Sequence, residues 1–278
     1  MALAIAVVFG VVIGSFLNVV IRRLPEGNSI IRPRSHCPNC KRLIRWYDNV
    51  PILSYFLLGG RCRQCNRKIS IRYPLVEALS GIVGLLMYDK FGLGIEWVIF
   101  FSFSAALIVL AFIDLDHRIL PDPITLNGIW VGILAGVYLA QPSSLAVRLL
   151  RTIGLETTNS RVIALTASLL GVFIGGGLLW GVGEAYFRLR GIEGMGFGDV
   201  KMMAMVGALL GAPLALLTIL IGSLLGVVIG LLYIRVAGKS RQYELPFGTF
   251  LAAAGIVVVL YGDEFINWYI DRIIQPSL

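Results

Sequence analysis

The sequence predicts an all-α polytopic membrane protein of about eight transmembrane helices, with one small polar domain after the first helix. Three observations carry that prediction. The 278 residues are 57% hydrophobic and only 14% charged, with a strongly positive mean hydropathy, which excludes a soluble domain built on a large core. Apolar runs near the roughly 20 residues that a helix needs to cross hydrocarbon follow one another from Pro74 to the end. Half of the 24 basic residues fall in a single segment, Arg22 to Arg72, which holds only two acids, Glu26 and Asp48.

Residues 1–21 are apolar, lack a basic n-region, and run directly into Arg22 and Arg23 with no clear cleavage signal. They read as a retained first span with its N-terminus outside. Residues 22–73 form the only sizeable polar segment, too small to fold without a staple. Its charge admits a nucleic-acid partner, but a cytoplasmic loop of a membrane protein explains it at less cost, and no nucleic acid is expected. Residues 74–278 carry the remaining spans: Pro74 to Tyr88, Ile95 to Ile113, Pro123 to Ala140, Val162 to Phe187, Val200 to Leu210, Leu214 to Val236 and Pro246 to Ile270. The break at Gly211-Ala212-Pro213 separates two of them, and counting these as two spans puts Lys239 and Arg241 with the other basic loops. The outer loop from Gln141 to Arg161 holds Arg148, Arg151 and Arg161 against that rule and is read as carrying a surface helix.

The four cysteines form two pairs, Cys37-Pro38-Asn39-Cys40 and Cys62-Arg63-Gln64-Cys65. On the side of a membrane where thiols stay reduced, paired C-x-x-C units read as a metal site before they read as disulfides. Four thiolates with no open position make a structural zinc site, which supplies the staple. His36 could stand in for one cysteine, although four thiols make that unnecessary.

The stretch Gly194-Met195-Gly196-Phe197-Gly198-Asp199-Val200-Lys201 puts a carboxylate and an ammonium at the mouth of an apolar segment. Such groups are costly at membrane depth and mark function. Glycines at alternate positions let another backbone come close to Asp199. A second carboxylate, Asp114, ends the run Ile95 to Ile113. Asp116 and Asp122 compete with it, but Asp114 is nearest the apolar run, and Asp116 lies about 200° around a helix from it. Asp114 and Asp199 are therefore expected to meet. Two carboxylates confined to one site hold one proton between them, so one can act as base on a water while the other polarises a scissile carbonyl, as in an aspartyl protease. With only His36 and His117 in the chain, no Ser-His pair competes. Glu77, Glu184 and Glu244 read as helix-end or packing acids. Gly194-Met195-Gly196 lacks the strand and the G-K-[ST] that a nucleotide site needs.

With those residues placed, the chain resembles the type IV prepilin peptidases, GxGD aspartyl proteases that serve as leader peptidase and N-methyltransferase of type IV pilus and type II secretion systems. The resemblance covers nearly the full length. It rests on residues 14–25 (GSFLNVVIRRLP), on the two cysteine pairs with Gly60-Arg61 before the second, on Asp114 followed by Pro121-Asp122, and on Gly196-Phe197-Gly198-Asp199 with Val200-Lys201. It implies that Asp114 and Asp199 are the catalytic pair, and that the basic leader of a prepilin or pseudopilin is cut after a glycine at the cytoplasmic face of the bacterial inner membrane. It further implies that the new N-terminal residue is methylated from S-adenosylmethionine, that the domain of Cys37, Cys40, Cys62 and Cys65 accompanies this second activity, and that Gly60 and Arg61 lie in the region associated with methyl transfer. Ser35-His36 stands where an acidic residue can precede the first pair, a departure that bears on methyl transfer and not on cleavage. A presenilin-like intramembrane protease without methyltransferase activity, or a non-catalytic scaffold or transporter whose aspartates bind ions, are the competing readings.

Overall fold

The protein is described from a computed structural model covering residues 1–140, 143–155, 157–192, 194–237 and 246–274. Glu244, Lys239 and Arg241 lie outside the described residues. Among the described residues there is no strand, only two isolated antiparallel bridges, His36 with Leu43 and Arg61 with Lys68. The helices are α1 (Ala2–Arg23), α2 (Leu53–Leu57), α3 (Arg72–Phe91), α4 (Ile95–His117), α5 (Asp122–Leu139), α6 (Ser144–Thr152), α7 (Ser160–Arg190), α8 (Phe197–Ala237) and α9 (Phe247–Tyr269). Six of them, α1, α4, α5, α7, α8 and α9, are long and apolar enough to cross a bilayer.

That number differs from the eight runs expected, and two elements account for the difference. The 20-residue α3 carries Arg72, Glu77, Asp89 and Lys90, so its composition is less apolar than the others. The runs on either side of Gly211 are two helices that abut at Gly211 (φ 78°, ψ 174°) under the single label α8, so the break expected there is present and the two runs count separately. A positive-φ glycine two residues before Pro213 ends the first helix, and the second sets off back along it: a Cβ on Gly175 of α7 would lie 2.5 Å from the Met203 carbonyl oxygen and 3.3 Å from the Ala215 side chain.

The chain forms two compact units, Met1–Ile113 and Asp114–Leu278. In the first, α1 packs on α3 through Ala6, Gly10, Gly14, Asn18 and Ile21, a buried face at three- to four-residue spacing. Backbone polar groups must be answered where water is scarce, and Asn18 donates to the Tyr73 carbonyl at 3.0 Å while the Trp97 indole donates to the Gly84 carbonyl at 2.9 Å. Arg72 donates to the carbonyl of Phe112, near the end of α4, at 3.0 Å.

In the second unit α8 is central, packing against α5, α7 and α9. Gly171 of α7 and Gly207 of α8 touch backbone to backbone: a Cβ on either would lie 2.0 Å from the other's carbonyl oxygen. Lipid tails are as apolar as the helices, so close van der Waals approach, not water exclusion, holds such pairs. The surface helix expected between α5 and α7 is α6, capped by the Ser143 hydroxyl accepting from the Ala146 N–H at 3.2 Å.

Candidate active site

Three chain segments of the second unit converge at one point. The end of α4 supplies Asp114; Arg118, left-handed at φ 55°, closes that helix by donating its N–H to the Asp114 carbonyl at 2.8 Å. The start of α8 supplies Asp199 in its first turn, where free N–H groups favour a carboxylate. The start of α9 supplies Gly248 and Thr249.

The sequence expected Asp114 and Asp199 to meet, and the structure brings them together. Both are buried, 5% and 8% exposed, whereas Asp116 and Asp122 are exposed. A Cβ placed on Gly248 would lie 2.9 Å from Asp199 Oδ1 and 3.1 Å from Asp114 Oδ2. The two oxygens are therefore at most about 6 Å apart, the sum of those distances. A water held between them can bond to both, since each hydrogen bond spans about 2.7–3 Å.

The two carboxylates are held differently. Asp114 Oδ2 accepts from the Thr249 backbone N–H at 2.7 Å and from the Thr249 hydroxyl at 3.0 Å, so the free N-terminus of α9 cradles one acid. Leu120, from the α4–α5 connection, packs under both active segments: its side chain would meet a Cβ on Gly198 at 2.9 Å and one on Gly248 at 3.0 Å. The glycine at 198 allows a close approach, but by the Leu120 side chain and not by the second backbone that the sequence suggested. Lys201 is turned away from the pair; it bonds Asp122 at the start of α5 and lies 5.3 Å from the Phe197 ring centroid.

Gly248, Thr249 and Leu120 were not singled out in the sequence, where Pro246 to Ile270 read only as a closing span. A signal was present: Pro246 followed within three residues by Gly and Thr marks a helix start with little side-chain bulk, hence an accessible set of N–H donors.

The cysteines form a separate site in the first unit. The knuckles are built alike: Cys37 N–H donates to Arg42 and Lys41 N–H returns to Cys37, while Cys62 N–H donates to Arg67 and Asn66 N–H returns to Cys62, each at 2.9 Å. Lys41 and Asn66 turn the chain at φ 58° and 56°. All four Sγ atoms lie within 4.8 Å of one another, and Cys37 and Cys65 are 3.8 Å apart. Tetrahedral thiolates about 2.3 Å from a zinc ion would stand about 3.8 Å apart, so the donor set fits that metal. The Arg67 N–H draws the Cys65 thiol down to about 6, whereas Cys40, against the Arg42 N–H and crowded by the Cys37 and Cys65 thiols, is pushed up to about 11. His36 is not part of the cluster; its Nδ1 faces the Arg34 carbonyl at 3.2 Å.

Glu77 is not a simple helix-end acid. It is 7% exposed and accepts from the Ile52 N–H at 2.7 Å, tying α3 to the polar segment. Glu184 pairs with Arg188 one turn on. Arg61 is exposed and bridged to Lys68; Gly60 is left-handed and accepts from Ile69 at 2.7 Å.

Comparison with known proteins matches these two sites to two domains. Residues 8–91 match the bacterial peptidase A24 N-terminal domain, and residues 101–231 match the type IV leader peptidase family. A prepilin leader peptidase/N-methyltransferase of Legionella pneumophila is 34% identical, over 94% of this chain and 92% of its own length. One from Pseudomonas putida is 33% identical over 94% and 91%, and one from Burkholderia pseudomallei is 34% identical over 95% and 87%. No solved structure matches. With buried carboxylates paired at three helix ends and relatives similar from end to end, the chain belongs to the type IV leader peptidase family, aspartic-type peptidases of bacterial membranes.

Proposed function

We propose that this enzyme removes the basic leader of type IV prepilins or pseudopilins after a glycine, at the cytoplasmic face of the inner membrane, through Asp114 and Asp199. The observation that carries the reading is the meeting of both carboxylates at Gly248. One carboxylate takes a proton from the water between them as its oxygen attacks the carbonyl carbon; the other, protonated, gives its proton to the carbonyl oxygen. On collapse of the tetrahedral intermediate the second carboxylate takes back a proton from one hydroxyl as the C=O bond re-forms, the C–N bond breaks, and the leaving amine takes the proton held by the first acid, which returns the pair to one shared proton. The Thr249 donors hold Asp114 in place throughout.

Charge supports the placement at the inner face. Arg22 and Arg23 end α1, and Arg188 and Arg190 end α7. We take α3, 20 residues long although less apolar than the six spans, as a further crossing; with the basic segment inside, the C-terminal end of α4 and the N-terminal end of α8 then both come to the cytoplasmic border. A prepilin offers its basic leader to the cytoplasm and its apolar helix to the bilayer, so the cut falls at that border.

The second activity follows at the new N-terminus, where S-adenosylmethionine would supply the methyl group for the freed amine. Cys37, Cys40, Cys62 and Cys65 hold zinc, which supplies no reaction chemistry and staples residues 22–73 into shape. The peptidase function belongs to residues 74–278. Purified Asp114→Asn or Asp199→Asn enzyme is expected to leave prepilin uncut while still inserting into membranes. Wild-type protein with S-adenosylmethionine yields a product shortened by the leader and heavier by one methyl. Normal processing by either variant removes the pair from the mechanism, and ion transport without cleavage would instead support a transporter.

A further inference from the structure

A cavity of about 370 Å3 lies in the second unit, between the later helix of α8 and the start of α9. Gly226 and Gly230 form its floor, Val227 and Leu231 one rim, and Phe247 and Phe250 the other. Both rim residues of α8 are exposed, Val227 at 59% and Leu231 at 64%, whereas Gly230 is buried, so the cavity is a groove open on its outer side. The two helices run antiparallel along it: a Cβ on Gly222 would meet Leu251, and one on Gly226, a turn further along α8, would meet Phe250 and Phe247. Following α8 on to Gly230 therefore leads to the first turn of α9, which carries Gly248 and Thr249. Phe247 and Phe250, three residues apart, share one face of that helix, and Gly248, where the two carboxylates meet, lies about 100° around the same turn. The groove thus opens beside the acids and at their depth.

A second observation concerns why the floor is glycine. At Gly222 the reason is internal, since a Cβ there would lie 2.8 Å from the Leu251 side chain and 3.1 Å from its Cα. At Gly226 no such reason exists: a Cβ would meet Phe250 at 3.4 Å and Phe247 at 3.8 Å, ordinary contact distances. Alanine would fit and would favour the helix. Packing within the chain therefore does not require the glycine, and its effect is to hold open the space between the phenylalanines and the α8 rim.

We propose that this groove receives the apolar helix of the substrate just past the scissile bond, an inference that rests on the leader-peptidase reading above. A substrate cut at the border keeps its apolar helix in the bilayer, so that helix must lie against the enzyme within reach of the acids. The groove meets that condition, because it ends at the turn of α9 that holds Gly248. Helices associate in lipid where small residues let one backbone come close to another, and Gly226 and Gly230 supply such a floor. A lipid tail gains nothing from it, since a flexible chain fills space around any side chain. Phe247 and Phe250 offer ring faces to large apolar side chains of the incoming helix. From that seat the extended segment at the cut crosses the first turn of α9 to the carboxylates. With no charged group on its walls, the groove selects an apolar helix and not a particular sequence.

The test uses full-length enzyme and a prepilin in the same nanodiscs. Gly226→Leu and Val227→Trp fill the groove from its floor and from its rim, and each is expected to raise KM for the prepilin about tenfold at unchanged kcat and melting temperature, as loss of binding away from the reacting bond does. Phe173→Trp, at an exposed position of α7, is the control and keeps the wild-type KM. In parallel, Val227→p-benzoylphenylalanine in an Asp199→Asn background, which leaves the substrate uncut, is expected to photocrosslink the prepilin, and the same probe at Phe173 to give lipid adducts alone. Should Val227→Trp keep KM within about twofold of wild type, or should the probe at Val227 capture only lipid, the helix lies elsewhere and the proposal falls while the peptidase reading stands. If wild type cuts no prepilin, both fall.

Discussion

Replacing Gly248 by alanine tests the active-site geometry with one methyl group. The added Cβ would stand 2.9 Å from Asp199 Oδ1, 3.0 Å from Leu120 Cδ1 and 3.1 Å from Asp114 Oδ2, where ordinary contacts begin near 3.4 Å. Each carboxylate must retreat by a few tenths of an ångström in opposite directions, which widens the gap that one water has to bridge. A misplacement of about 1 Å costs on the order of 100-fold in rate. A shift of about half that on both acids is therefore worth roughly 10- to 100-fold, or about 1.4–2.7 kcal/mol of barrier. Stability changes little by comparison, since alanine in a helix gains up to about 1 kcal/mol over glycine and offsets part of the crowding. The assay is the initial rate of prepilin shortening by purified enzyme, followed by mass spectrometry, beside Gly177→Ala, whose Cβ would meet no atom within 4 Å. Gly248→Ala is expected to cut 10- to 100-fold more slowly while Gly177→Ala matches wild type. Equal rates for all three would refute the claim that the reacting carboxylates close around this glycine.

Thr249→Val removes the hydroxyl bond to Asp114 and keeps the backbone one; a hydrogen bond to a charged group is worth about 1.5–3 kcal/mol, so cleavage should slow about tenfold or more without being abolished. Gly207→Ala drives a methyl to 2.0 Å from the Gly171 carbonyl, and because backbone cannot yield as a side chain does, the loss should exceed the roughly 1–3 kcal/mol of ordinary overpacking, read as a lower melting temperature in detergent. Metal analysis should find one zinc per chain, and its removal by chelator, or serine at all four cysteines, should harm methylation and the stability of residues 22–73 more than leader cleavage. Cleavage should fall at both acid and alkaline extremes, because the proposed mechanism needs one proton on the pair, neither two nor none; a single-sided pH profile would argue against it.

Much was legible from the sequence because membranes impose one-dimensional rules. A run of about 20 apolar residues has few fates other than a helix, so the long elements and the polar insert could be placed from composition alone. The positions of Asp114 and Asp199 against their apolar runs singled them out, since a carboxylate there needs a reason. Repeated C-x-x-C spacing did the same for the cysteine cluster, as each knuckle is a local structure that its own five or six residues determine.

What the sequence could not decide was every contact between segments far apart in the chain. That α9 would cap Asp114 with Thr249, and that Gly248 would be the point where both acids meet, depends on how three helix ends converge, and the relevant pairs are 135 residues apart. Glu77 looked like an ordinary helix acid until its partner, the Ile52 N–H, was seen across 25 residues in a strained turn. Sequence periodicity reports which face of a helix is apolar and where charge is unwelcome. It carries no information on which helix comes to lie against which, because in lipid that choice is made by small-residue packing and a few hydrogen bonds between surfaces of nearly equal hydrophobicity.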